Sequence, residues 1–204
     1  MTARLRSESP EIEPYFIAIG EMTTAWATLH EILGALFSVL MLGNTPAPGD
    51  SIDWTPTYVW HTIKSDRTQR DMLDAAFKHS AVLNAHKLKN ELTTLGTWLF
   101  EACRKLEDRR NDAVHSSLIL TTHEKGIKEV VPNLFMKNPR AEKLSKLEDL
   151  LAELHCTRDN IIKLFFFAQQ LHSALINPAA PLPDKPELPG RRPKNRQASA
   201  PSRS

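Results

Sequence analysis

At 204 residues the chain suits one domain with a full-sized core. Its 41% hydrophobic and 25% charged content is ordinary for a soluble globular protein. The formal charge of +2 divides unevenly. From Pro178 onward six basic residues (Lys185, Arg191, Arg192, Lys194, Arg196, Arg203) face Asp184 and Glu187, leaving the tail at +4 and the rest at −2. The body is therefore not a basic nucleic-acid-binding surface by charge alone, and nonspecific polyanion attraction falls to the tail.

Two cysteines, Cys103 and Cys156, make no disulfide framework, so a reducing cytoplasm is the expected compartment. Met1 to Pro10 carries charges and no apolar stretch, so it reads as a flexible N-terminus and not as a signal peptide. The longest uncharged apolar run, Ile32 to Asn44, is too short to cross a bilayer, and no membrane partner is expected.

The first predicted helix spans Glu11 to about Leu42. Tyr15, Ile19, Met22, Trp26, Leu29, Leu33, Leu36 and Leu40 follow alternating steps of four and three, one unbroken apolar stripe. Such a stripe is a bundle core or a dimer seam. Gly43 to Thr55 is a loop rich in Pro, Gly and Asp, and Thr55-Pro56 reads as an N-cap followed by proline at the first helical position.

A second helix over Pro56 to Ser80 would turn Val59, Ile63, Leu73 and Phe77 inward, with Asp66 and Arg70 interrupting that face. One turn apart, the two are either an ion pair or the border of a polar, substrate-binding cleft. A third helix follows from Asn84 to Glu107, its stripe formed by Leu88, Leu92, Leu95, Leu99, Ala102 and Leu106. Gly96 inside it is an apparent cost of about 1 kcal/mol relative to alanine. After Leu106 the pattern becomes a polar turn, Asp108 to Asp112, before Ala113 and Val114 resume a helical register.

Ser116 to Thr122 and Ile127 to Val131, joined through His123-Glu124-Lys125-Gly126, read as a small β-hairpin. The last helix runs from Arg140 to Leu175, with Leu147, Leu154, Ile161 and Ala168 inward. From Pro178, prolines at 183, 186 and 189 suit a polyproline II segment passing into a disordered basic end. The organisation expected is thus a flexible 1–10, an all-α up-and-down bundle of four to five helices over 11–177 with a hairpin insertion, and a Pro-rich tail over 178–204.

No glycine loop for phosphate, no serine or cysteine nucleophile motif and no metal-ligand spacing stands out; the adjacent His155-Cys156 point about 100° apart on a helix. Neither a metal nor a cofactor is expected. The informative stretch is Arg109-Arg110-Asn111-Asp112-Ala113-Val114-His115. A bare Arg-to-His spacing of four to six intervening residues arises by chance about 1.5 times at this composition, but requiring Asn directly after Arg lowers that to about 0.02.

Arg110-Asn111-x-x-x-His115, between long helices of a short all-α chain, resembles the Arg-Asn-x-x-x-His signature of the HEPN superfamily. The resemblance covers Glu11 to Ile176. It implies a helical bundle that dimerises about a two-fold axis, and for many members metal-independent ribonuclease activity as toxins, defence effectors or RNA-processing enzymes. It implies that Arg110 and His115 are the catalytic pair, with Asn111 as the polar residue after the Arg. Arg109 is then a neighbouring substrate-binding cation. It further implies an RNA substrate and, as a separate chain, an antitoxin or nucleotidyltransferase partner.

On a helix Asn111 and His115 share a face, whereas Arg110 and His115 diverge by about 140°. A long Arg side chain, a helix break near Asp108, or a second copy across a homodimer would each reunite them. Two readings from different classes follow: a metal-independent endoribonuclease, or a non-catalytic helical dimer acting as a protein-interaction module through its Pro-rich tail. In the second, Arg109, Arg110, Asp108 and Asp112 are only a helix-end ion-pair cluster and His115 packs inside.

Overall fold

The computed structural model describes residues 10–42, 53–123, 126–135 and 137–191. The expected N-terminal tail before Pro10, most of the Gly43–Thr55 loop, the tip of the hairpin and the chain after Arg191 lie outside the described residues. The fold is all-α with a small antiparallel hairpin. The helices are α1 (Glu13–Leu42), α2 (Thr55–Thr62), α3 (Asp66–His79), α4 (Ala81–Ala85), α5 (Lys89–Val114), α6 (Pro139–Leu144) and α7 (Leu150–Ile176), and the strands are β1 (Leu118–Thr122) and β2 (Lys128–Pro132). By its internal contacts the chain divides into two compact units, to which α1, α5 and α7 each contribute.

The larger unit comprises Thr24–Glu107 and Asp159–Leu188. The α1 stripe is buried here from Trp26 to Leu40, together with Leu73 and Phe77 of α3, Leu92 and Leu99 of α5, and Leu164 and Leu171 of α7. By length and apolar composition α1 could cross a membrane; 44% of its most apolar window is buried inside the protein. Gly34 lies where a Cβ would meet the Trp60 indole at 2.8 Å, so only glycine lets that ring pack on the α1 backbone.

The single helix expected over 56–80 is two helices. Ile63 closes α2 in extended conformation, and the Ser65 hydroxyl caps α3 by accepting from the Thr68 N–H at 3.3 Å. The break rotates the inward face, so Trp60 is buried while Val59 is 42% exposed. Ser80 then ends α3 and starts α4, its hydroxyl accepting from Leu83 N–H and donating to the Leu40 carbonyl at 2.7 Å.

Beyond Ile176 the Pro-rich segment carries no helix or strand as far as Arg191, yet in the larger unit it is held in place. Pro183 is buried, Lys163 donates to the Glu187 carbonyl at 3.0 Å, and the Lys185 ammonium lies 6.0 Å from the Trp98 ring.

The smaller unit comprises Met1–Thr23, Asp108–Arg158 and Pro189–Ser204. Its hairpin pairs Leu118 with Pro132 through to Thr122 with Lys128, and Gly126 at φ 73° supplies the left-handed residue of the connection. Asn138 caps α6 by accepting from the Arg140 N–H at 3.0 Å, with Pro139 opening the helix. The expected long last helix is therefore also divided: Ser145 closes α6, and the Asp149 carboxylate receives the Ala152 N–H at 2.9 Å at the start of α7.

Gly96 is not the simple cost its composition suggests. A Cβ there would stand 2.7 Å from the Phe77 ring, in the larger unit's core. Gly96→Ala should destabilise the protein by about 1–3 kcal/mol in urea unfolding, despite alanine's better helix propensity, because overpacking outweighs it. Pairing it with Phe77→Leu should recover part of the loss; a stabilised Gly96→Ala would contradict this packing.

Candidate functional site

The helix α5 runs without interruption through the stretch read as a polar turn, so Asp108 to Asp112 are helical and no break occurs near Asp108. The physical reason lies in the stripe. Arg110 falls four residues after Leu106 and three before Ala113, both buried, so it occupies the next position of the inward face. Its side chain is half-buried, and among the described residues its Nε has no hydrogen-bond partner. Arg110 Nη1 donates to the Asn111 amide oxygen at 2.9 Å.

Asp112 is buried on another face, its side chain 4% exposed. Its Oδ1 lies 3.5 Å from Lys143 Nζ, and its Oδ2 lies 2.9 Å from Arg191 Nη2 as an ion pair without hydrogen-bond alignment. Arg191 Nε donates to the buried Glu153 carboxylate at 3.2 Å. Arg109 joins the same cluster, donating to the Pro189 carbonyl at 3.0 Å and standing 3.9 Å from Glu153. Two buried carboxylates are thus met by three cations, two from α5 and α6 and one from the C-terminal segment. Arg109, expected to bind substrate, is engaged here.

His115 follows the last residue of α5 and is exposed, not packed inside as the ion-pair reading required. Among the described residues its imidazole has no hydrogen-bond or ion-pair partner. Its backbone is fixed: the N–H reaches the Asn111 carbonyl at 3.1 Å, and its own carbonyl accepts from Asn138 Nδ2 at 2.9 Å.

Two other carbonyls of this helix end are met by side chains. Ser116 Oγ donates to Asp112 O at 2.5 Å, and Arg140 Nη1 donates to Asn111 O at 3.4 Å. A cation at a helix C-terminus also meets the negative end of the macrodipole.

Arg140 was not legible as a site residue. Its contact with Asn111 spans 29 positions and exists only because the Asn138-Pro139 cap starts α6 beside the end of α5. Among the described residues neither Arg110 nor Arg140 is ion-paired to a carboxylate.

Asp66 and Arg70 belong to the larger unit and do not pair with each other. Asp66 accepts from the Trp26 indole N–H at 2.9 Å, and Arg70, 6% exposed, is salt-bridged to Glu107. Asp66 is therefore a core partner of Trp26, 3.9 Å from His30, whose Nδ1 is 3.0 Å from the Gln69 amide oxygen. Burial pushes the His30 pKa down, against the opposing pull of Asp66. Arg70 does border a polar cleft of about 580 Å³, with Arg67, Asp71, Lys78, Phe100 and Arg104. Cys103, fully buried, has its thiol pKa pushed up to about 12 by desolvation, which removes it as a nucleophile. Among the described residues no three His, Cys, Asp or Glu side chains gather as a metal site.

No protein-family model matches the chain, and neither a curated protein nor a solved structure matches it.

The cluster around Asp112 makes a stability prediction. Arg191→Ala removes a partner from both buried carboxylates while Lys143 and Arg109 remain, and should cost about 1–3 kcal/mol in chemical unfolding. Adding Asp112→Asn should cost less than the two changes summed. Additive effects, or a neutral Arg191→Ala, would show that the C-terminal segment does not hold this cluster.

Proposed function

We propose that the chain is a metal-independent endoribonuclease of the HEPN type, a toxin or defence effector, acting as a homodimer whose active site combines Arg110, Asn111 and His115 of two copies. One observation carries this reading. At the end of α5, Arg109, Lys143 and Arg191 all face buried carboxylates, whereas among the described residues Arg110 has only an amide oxygen as partner and His115 presents an open imidazole.

The chemistry follows from what those groups carry. Arg110, permanently charged and forked, holds the scissile phosphate and the charge gathering on its oxygens. One His115 takes the proton from the ribose 2′-hydroxyl as that oxygen attacks phosphorus; the phosphorus–5′-oxygen bond breaks, and the second copy's His115 protonates the departing 5′-oxygen. The products are a 2′,3′-cyclic phosphate and a 5′-hydroxyl. Asn111, already bonded to Arg110, orients the guanidinium.

Because α5 runs unbroken to Val114, no kink near Asp108 turns Arg110 toward His115, which favours the dimeric solution over a kinked helix. DNA, lacking the 2′-hydroxyl, resists this route.

A second reading, a non-catalytic protein-interaction module, draws on Trp54, Tyr58 and Val59, large apolar side chains left exposed at α2. An inhibitory antitoxin or a nucleotidyltransferase is the partner the ribonuclease reading would call for.

Purified protein incubated with RNA in excess EDTA separates the two readings. The parent should cut and leave cyclic phosphate ends, while folded Arg110→Ala and His115→Ala variants should lose at least about 100-fold in rate. No cutting by the parent, or equal cutting by all three, would overturn the ribonuclease reading.

A further inference from the structure

We infer that Arg140 is a second phosphate-holding residue of this site, gripping the RNA backbone beside Arg110. The inference rests on the ribonuclease reading and names a residue outside the Arg-Asn-x-x-x-His motif.

Two guanidinium groups meet at one asparagine. Arg110 Nη1 donates to the Asn111 side-chain oxygen at 2.9 Å, and Arg140 Nη1 donates to the Asn111 backbone oxygen at 3.4 Å. The second contact is long and engages one of five N–H donors, so among the described residues most of the Arg140 fork is uncommitted. The backbone beneath it is not free to drift. Its N–H is taken by the Asn138 cap at 3.0 Å, and the same Asn138 side chain donates to the His115 carbonyl at 2.9 Å. One residue therefore ties Arg140 to the histidine.

Electrostatics give a second arginine a use here. The C-terminus of α5 carries the equivalent of about half a negative charge, which repels a phosphate approaching His115. A single guanidinium loses about half of its attraction to that field. Two guanidiniums without ion-paired carboxylates leave a net positive surface at which a polyanion binds. Lys143, three residues further along, differs in that its ammonium stands 3.5 Å from the buried Asp112 carboxylate, whose charge offsets its own.

A residue that merely capped α5 would alter stability but not the count of phosphates neutralised, and salt dependence reads that count directly. Binding of a fluorescein-labelled 2′-O-methyl RNA oligonucleotide, which cannot be cut through its 2′-oxygen, is measured by anisotropy across a series of salt concentrations. Arg140→Gln should weaken binding about 5- to 20-fold at low salt and reduce the slope of log affinity against log salt by about 0.7. Arg140→Lys should restore most of the slope, and Lys143→Gln should leave it at the parent's value. If Arg110→Gln lowers the slope while Arg140→Gln shifts only the melting temperature, Arg140 is a cap alone and the inference falls with the ribonuclease reading intact. If the parent shows no salt-dependent binding, both fall together.

Discussion

A carboxylate withdrawn from water must be met by cations, and at the end of α5 that demand decides which charges are spent. Asp112 and Glu153 are both buried, and Lys143, Arg191 and Arg109 are drawn to them. Removing any one would leave a buried charge short of compensation, a penalty of several kcal/mol for a fully buried pair and less where other partners remain. The consequence reaches past stability. With the acids satisfied from α6 and the C-terminal segment, Arg110 keeps an amide oxygen as its partner and retains its full positive charge. The same economy leaves His115 outside the cluster, one residue beyond the helix and open to solvent.

Much of the frame was legible in the sequence because it rests on long, regular patterns. The α1 stripe from Met22 to Leu40 is buried as its period demands, and the hairpin follows from β-branched residues flanking Gly126. The end of a helix at Ser80 was read from the sequence, but the breaks inside the expected helices were not, since each is made by one short polar residue. Ser65 and Asp149 sit among residues that look like the outer face of a continuing helix, and only their hydrogen bonds to the following N–H groups reveal them as caps. Polar composition misled in the opposite direction at Asp108 to Asp112. Those residues look like a turn, but Arg110 keeps the inward register between Leu106 and Ala113, and α5 continues through it.

The site was half legible for a related reason. Arg110, Asn111 and His115 lie within six positions, so a motif could expose them. The partners that distinguish Arg110 from Arg109 lie far away in sequence: Glu153, Pro189 and Arg191 for the spent cluster, and Arg140 for the free one. The pairing of Asp66 with Arg70, inferred from one helical turn of separation, failed likewise. Each found a partner elsewhere in the larger unit, Trp26 for Asp66 and Glu107 for Arg70. Proline periodicity foretold that residues 178–191 would lack helix and strand, but composition holds no record of the Lys163 and Trp98 contacts made there.

Paired and unpaired cations at one helix end differ in what they offer RNA, and nuclear magnetic resonance can observe each of them separately. On titration with a 2′-O-methyl RNA oligonucleotide, the guanidinium Nε–H signals of Arg110 and Arg140 and the ring signals of His115 should shift together and saturate together. Those of Arg109 and Arg191, held by Glu153 and Asp112, should stay in place. Movement confined to Arg67, Arg70 or Arg104 at the polar cleft of the larger unit, or no movement at all, would contradict the account.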